Sequence, residues 1–421
     1  MKNLIHDLGK LCESFLSEEV YKTDEMQRSL DLLSSFFHRD IPNIFQTKAD
    51  SAERWLVKKY ESNDYVYMSR MYEAFRKVYE LKANYNHHSA YRSKNNDDLR
   101  NASENLVYGF LADCFRVFHK LMVHNLDMNH SPLNDPVYFL LSELDRNSII
   151  THLLDRSEAQ NGRGHDILKC YYAMYKAMLS NETSLHYSEF KNALIKYGSS
   201  LSDGERRALY TCLLNCLTNL KITTKDFYKE YFSLIQLGFQ SKAMLNENGT
   251  ITFQSFFSVV NVSCGAKELE FAEEFISEYT DKLPEELRKC AYLYSMAQLN
   301  FTKGDFSKSL EYLAQIQSHP GFLKYSIKNL QFSIYFELDD RESFEYSFDS
   351  FKHFIRRNRL TSESRAITLE KYCSYINALF KLRESFDAHD ASVLREEITA
   401  NKVINKLWLI EKIDQLENAG I

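Results

Sequence analysis

The chain has 421 residues, 44% of them apolar and 26% charged, with 29 Phe and 27 Tyr but only 12 Gly and 5 Pro. Glycine and proline punctuate strands, tight turns and phosphate loops, so their scarcity over this length excludes a strand-rich fold and favours long helices with short connections. The formal charge of −6 (52 basic, 58 acidic side chains) excludes a polybasic chain that would coat nucleic acid or an anionic membrane through net charge.

The opening segment, MKNLIHDLGKLCESF, has Asp7 and Lys10 inside what a secretory signal would need as an apolar run. No stretch reaches the length of apolar sequence that a membrane-spanning helix requires. The eight cysteines (Cys12, Cys114, Cys170, Cys212, Cys216, Cys264, Cys290 and Cys373) are scattered through apolar helical segments and read as buried free thiols. Together these features place the expected location in the cytoplasm.

Residues 1–160 are helical by pattern but show no clean period. Within them, WLVKKYESNDYVYMSRMYEAFRKVYELK mixes apolar residues at 3–4 spacing with charges. The polar segment YNHHSAYRSKNNDDLR, at 85–100, is the expected internal break. HSPLNDP at 130–136 and AQNGRGHD at 159–166 read as turns, and the second marks a domain boundary. Beyond it the pattern predicts helices over 166–180, 186–197, 203–220 and 225–238. Asn181-Glu182-Thr183 and Asn246-Glu247-Asn248-Gly249 read as loops. Further helices are expected over 252–265, 268–281, 285–303, 305–317, 321–338, 341–358, 362–386, 391–399 and 403–418. In the last of these Trp408, Leu409 and Ile413 are expected on one face and Glu411, Lys412 and Asp414 on the other.

The segment LYSMAQLNFTKGDFSKSLEYLAQI, from Leu293 to Ile316, reads as two amphipathic helices joined at Gly304-Asp305. The turns at Lys267-Glu268-Leu269, Gly304-Asp305-Phe306 and Asp339-Asp340-Arg341 align and lead to Ala272, Ser309 and Phe344, spaced by 37 and 35 residues. Ala193 lies 79 residues before Ala272, about two such periods. A helix pair of this size cannot bury its apolar face alone and stacks on copies of itself.

Residues 252–358 resemble divergent tetratricopeptide (TPR) repeats. Ala297 and Ser309 match the two small positions of that repeat, Leu293, Met296, Leu313 and Ile316 match large ones, and Pro284 matches the terminating proline of the repeat before. Asn300 departs from the usual Tyr, and Phe332 and Phe344 depart from small residues, which implies that this last pair either splays its helices or packs differently. FKHFIRRNRLTSESR and NKLWLIEKIDQLE are similar to the ends of uncharacterised bacterial TPR-like proteins. The resemblance implies an all-α fold, a right-handed α-solenoid of TPR-like helix pairs with a less regular helical N-terminal region. Its divisions are 1–160, then repeats over 161–360, then a capping unit over 361–421. It implies a non-enzymatic scaffold or adaptor that binds a protein, peptide or helix on a concave face lined by the first helix of each pair. Helical phase then selects Tyr292, Ser295, Asn300, Lys324, Lys328 and Gln331 as outward, partner-binding positions.

Two other functions would draw on particular residues. Arg70, Arg76, Lys77, Lys82, Arg92 and Lys94 alternate with Tyr72, Tyr79, Tyr85 and Tyr91, an interleaving that suits single-stranded nucleic acid. Glu73, Glu80, Asp97 and Asp98 dilute that charge. Lys352, Arg356, Arg357 and Arg359 end a helix and offset its dipole. A hydrolase would need a site in the N-terminal region. His119, His124 and His130, near Cys114 and Asp127, are spaced by 5 and 6 residues, which spreads them around a helix instead of pairing them on one face. The dipeptides His6-Asp7 and His165-Asp166 lack the further His and Asp of a phosphohydrolase centre. Asp166 reads instead as a first-turn acid. Cys212 and Cys216 lie one turn apart with no second pair and read as small packed residues. NGRG at 161–164 lacks the Lys-Ser/Thr of a phosphate loop, and Glu273-Glu274, Glu285-Glu286 and Glu396-Glu397 diverge by about 100° on their helices. No catalytic residue, cofactor or metal is therefore assigned.

Overall fold

The computed structural model describes residues 2–39, 41–87, 92–128, 135–160, 162–179, 184–220, 224–246, 248–317, 323–357, 363–401 and 403–419. These form twenty α-helices, with no strand among the described residues. The expected loop Asn181-Glu182-Thr183, most of the 130–136 turn, and His130, Tyr91 and Arg359 lie outside the described residues, as do the side chains of His124, Asp127, Arg92, Lys94, Lys352, Arg356 and Arg357.

The chain makes two compact units, Met1–Lys221 with Gln240–Ala243, and Ile222–Phe239 with Met244–Ile421. The first contains α1 (Lys2–Thr23), α2 (Glu25–His38), α3 (Pro42–Glu61), α4 (Met68–His87), α5 (Arg92–Met128), α6 (Pro136–Arg146), α7 (Ile149–Ala159), α8 (His165–Leu179), α9 (Ser184–Tyr197) and α10 (Asp203–Asn219). The helix starts obey local chemistry. Asp24 Oδ1 accepts from the Gln27 N–H (2.9 Å), and Asp135 Oδ1 accepts from the Val137 N–H (2.9 Å) ahead of Pro136. The expected break at 85–100 is smaller than its polarity implied, since α4 runs to His87 and α5 begins at Arg92. No Gly or Pro stands between Tyr85 and Arg100 to stop a helix, and polar residues alone do not.

α2, α3 and α4 pack mutually, as do α8, α9 and α10, while α5 lies along α4 and also meets α8. The turn after α7 is pinned by tyrosines. Tyr72 donates to the Arg163 carbonyl (2.6 Å), Tyr60 Oη accepts from the Gly164 N–H (3.0 Å), and the Arg163 guanidinium lies 4.4 Å over the Phe75 ring and donates to Tyr79 Oη. Gly164 takes φ +70° here, and an added Cβ would lie 2.4 Å from Tyr72 Oη, so this turn requires glycine.

The second unit contains α11 (Thr224–Gln240, save its last residue), α12 (Phe253–Gly265), α13 (Leu269–Tyr279), α14 (Glu285–Lys303), α15 (Phe306–Ala314), α16 (Leu323–Glu337), α17 (Arg341–Arg357), α18 (Glu363–Glu384), α19 (Ala388–Ala400) and α20 (Lys406–Ala419). Each odd helix from α13 to α17 packs on the even helix before it and the even helix after it. Each even helix from α12 to α16 also packs on the next even one.

Three connections within this unit are built alike. Lys267, Gly304 and Asp339 are left-handed (φ 65°, 84° and 55°). Each N–H bonds the carbonyl three residues back, and the following N–H bonds the one five back: Cys264 and Ser263, Phe301 and Asn300, Phe336 and Tyr335. This is the Schellman arrangement, which satisfies the last carbonyls of a helix. Asp305 and Asp340 then cap the next helices by accepting from the Lys308 and Ser343 N–H groups at 3.1 and 3.0 Å.

Between α14 and α15 both small residues are fully buried, and Ser309 Oγ donates to the Ala297 carbonyl at 2.7 Å. At the matching places in α16 and α17, Phe332 and Phe344 are fully buried and meet edge-on, with centroids 5.6 Å apart. Lys412 corrects the expected polar face of α20. It is buried, its Nζ lies 2.7 Å from Glu337 Oε1, and Trp408 Nε1 donates to the same oxygen at 2.6 Å. A carboxylate at the C-terminal end of α16 faces the negative end of the helix dipole, and the inward lysine compensates it.

Candidate functional site

The six predicted partner-binding residues lie on α14 and α16, which pack together. Tyr292 is 40% exposed, and Lys324, Lys328 and Gln331 are half-buried along one face of α16 at i, i+4 and i+7. Ser295 and Asn300, expected outward, are instead buried. Asn300 closes the turn after α14: its carbonyl accepts from the Asp305 N–H, and its Nδ2 donates to the Met296 carbonyl at 2.7 Å. Ser295 Oγ is buried with no hydrogen-bond partner.

Lys328 carries the electrostatic interest of this face. Its Nζ donates to Ser347 Oγ on α17 at 3.1 Å, and among the described residues it pairs with no carboxylate. Burial first, and then the Lys324 charge one turn away, hold its pKa below the usual lysine range. Nearby along the helix, Gln331 Oε1 is buried without a partner. A half-buried cation beside a second cation gains from any carboxylate that reaches it, because such a pair is formed partly out of water.

Comparison with known protein families, curated proteins and solved structures finds no match. The chemistry of the chain therefore rests on its own geometry.

The tyrosine-rich basic segment is arranged differently from its reading as a strand-binding groove. Tyr72 and Tyr79 are buried, and Tyr85 packs at a tilt against Phe45 with centroids 4.6 Å apart, so these rings offer little face to a base. Arg76 pairs with Glu80 (2.7 Å), Lys77 with Glu73 (3.0 Å), and Lys82 with Glu53 (2.8 Å) and Asp50 (3.1 Å). Arg70 is exposed.

The histidine and cysteine candidates do not converge. Among the described residues no group of three His, Cys, Asp or Glu side chains could hold a metal ion. His119 Nε2 and both ring nitrogens of His165 are buried without a hydrogen-bond partner, and burial lowers both pKa values. Cys212 and Cys216 are buried in the first unit, where burial pushes the Cys212 thiol well up. Cys12 departs from the expected pattern and is exposed. No described helix is long and apolar enough to cross a membrane.

Two features escaped the sequence reading. Ser202-Asp203-Gly204-Glu205 is a capping box, and its buried Glu205 Oε1 also accepts from the Met68 N–H (2.9 Å) and Tyr171 Oη (3.0 Å). One carboxylate thus serves the starts of both α10 and α4. The second is an exposed apolar row on α1, whose spacing of Leu8, Leu11, Phe15 and Leu16 was legible as an amphipathic face.

Proposed function

We propose that the chain is a non-enzymatic interaction scaffold built as a right-handed α-solenoid of TPR-like helix pairs. It takes a peptide or helix of a partner on the face formed by the first helices of the pairs. One observation carries this reading: the same Schellman connection recurs at Lys267, Gly304 and Asp339, spaced by 37 and 35 residues, with the same neighbour order around each pair. The same mutual packing of α2–α4 and of α8–α10 supports pairs of this kind earlier in the chain too. The recognition strip in this proposal is Tyr292, Lys324, Lys328 and Gln331, and a partner carboxylate at Lys328 gives it specificity.

The test is affinity capture by the full chain and by a Lys324→Glu/Lys328→Glu variant, with urea unfolding run in parallel. Loss of a stoichiometric protein partner with unchanged unfolding supports the strip. Equal capture by both proteins removes it. No observation favours the nucleic-acid reading over this one, and recovery of nuclease-sensitive, salt-labile material in the capture would reverse that preference.

A further inference from the structure

The open groove between α2 and α3 and the exposed face of α1 are complementary to each other. The groove has a volume of about 370 Å³ and is lined by Glu25, Arg28, Leu32 and Leu33 on one wall and by Lys48 and Trp55 on the other. Leu33 is buried at its floor, Trp55 is half-buried, and Leu32 is 48% exposed. On α1, Leu8, Leu11, Phe15, Leu16 and Val20 are 57–68% exposed. From Leu8 to Leu16 the row runs about 12 Å at 1.5 Å per residue, the same length as the Glu25–Leu33 wall.

The groove's two cations, Arg28 and Lys48, outnumber its one acid, Glu25, and are opposite in charge to the acids that border the α1 row. With about 100° between successive residues, Glu13 and Glu18 flank the apolar row of α1 on its two borders. Arg28 and Lys48 stand exposed on the two walls of the groove, and among the described residues neither pairs with a carboxylate. Glu18 pairs with Lys22 at 2.8 Å, but both are about two-thirds exposed, and such pairs exchange at little cost. Four acids against three lysines give α1 no attraction to an anionic membrane surface.

The chain's own α1 cannot fill this groove. Asp24 is the one residue between α1 and α2; its N–H still bonds the Val20 carbonyl (3.0 Å) while its carbonyl accepts from the Arg28 N–H (3.1 Å). Two antiparallel helices need a loop of about 2–5 residues, so turning back here would unwind both helix ends.

We propose that α1 of a second copy of this chain occupies the α2–α3 groove, and that the exchange is reciprocal, making a two-fold dimer in which each apolar row is buried by its partner. This surface is independent of the α14–α16 strip.

The test is the mass of the full-length protein across a concentration series by sedimentation, with circular dichroism as the check on fold. Wild type is expected to dimerise, and Leu11→Glu/Phe15→Glu and Arg28→Glu/Lys48→Glu are each expected to be monomeric and helical. Mixing those two variants leaves one intact row and one intact groove, and is expected to restore a weaker heterodimer. Combining Glu13→Lys and Glu18→Lys with the reversed groove is expected to recover the homodimer. A wild type that stays monomeric overturns the proposal. A groove variant that dimerises as well as wild type also overturns it, since α1 would then pair with α1 or another surface.

Discussion

The three Schellman turns allow a test in which equivalent positions respond with opposite sign. Gly304 sits at φ 84°, ψ 6°, and an added Cβ would meet no atom within 4 Å, so Gly304→Ala probes backbone conformation alone. Holding an L-residue in the left-handed region costs about 1–2 kcal/mol. Alanine returns about 0.4–1 kcal/mol by restricting the unfolded chain. The net expectation is a destabilisation of about 0.5–1.5 kcal/mol, with the sign set by the left-handed cost. Lys267 holds the same conformation with an exposed side chain, so Lys267→Gly removes that cost and is expected to stabilise by about 0.5–1 kcal/mol. Asp339→Gly gains likewise but loses the Oδ1 that accepts from Arg383 at 3.1 Å, and should change little. Urea unfolding reports on this unit through Trp408, made the sole tryptophan by Trp55→Phe. If Gly304→Ala is neutral while Lys267→Gly destabilises, the two turns are not built alike and the helix pairs do not repeat.

Two further outcomes follow from buried side chains. Leu313 is 3% exposed between α14, α15 and α16, so Leu313→Ala is expected to cost about 2–5 kcal/mol in the same urea assay, and a loss below about 1 kcal/mol would place it outside the core. Burial raises the pKa of Glu205 above 4.5 despite the hydrogen bonds that oppose it. The folded state therefore binds this proton more readily than the unfolded state, and stability falls as pH rises through the interval above 4.5. Glu205→Gln keeps an acceptor for the Met68 N–H and removes that slope. Identical pH profiles of stability for the two proteins would show that the carboxyl is not held in this way.

The helices were legible because the chain writes their ends in local chemistry. Glu285–Lys303 coincides with its prediction, bounded by Pro284 before it and a left-handed Gly304 after it. Asp305 and Thr252, which open α15 and α12, accept hydrogen bonds from N–H groups three residues on, as helix caps do. The capping box at Ser202–Glu205 was equally local. That Glu205 also serves Met68, 137 residues away, was not, since no sequence window joins the two.

The outward face of α14 was misread for a similar reason. Phase arguments assume one buried stripe and one solvated face. α14 packs against α12, α13, α15 and α16, so little of its circumference remains for solvent, and Ser295 and Asn300 fall inside despite being polar. Small or self-satisfied polar side chains tolerate this: Asn300 bonds its own helix, and Ser295 occupies little more volume than Ala. On α16 Lys324, Lys328 and Gln331 are instead half-buried along one face, as long side chains with polar ends can be, although Gln331 Oε1 is itself buried. A recognition surface on stacked helices is therefore drawn from residues long enough to clear the neighbouring helices. By that criterion Tyr292, Lys324 and Lys328 fit the proposed strip better than Ser295 and Asn300, and Lys328, held below its usual pKa, would gain most from an acidic partner.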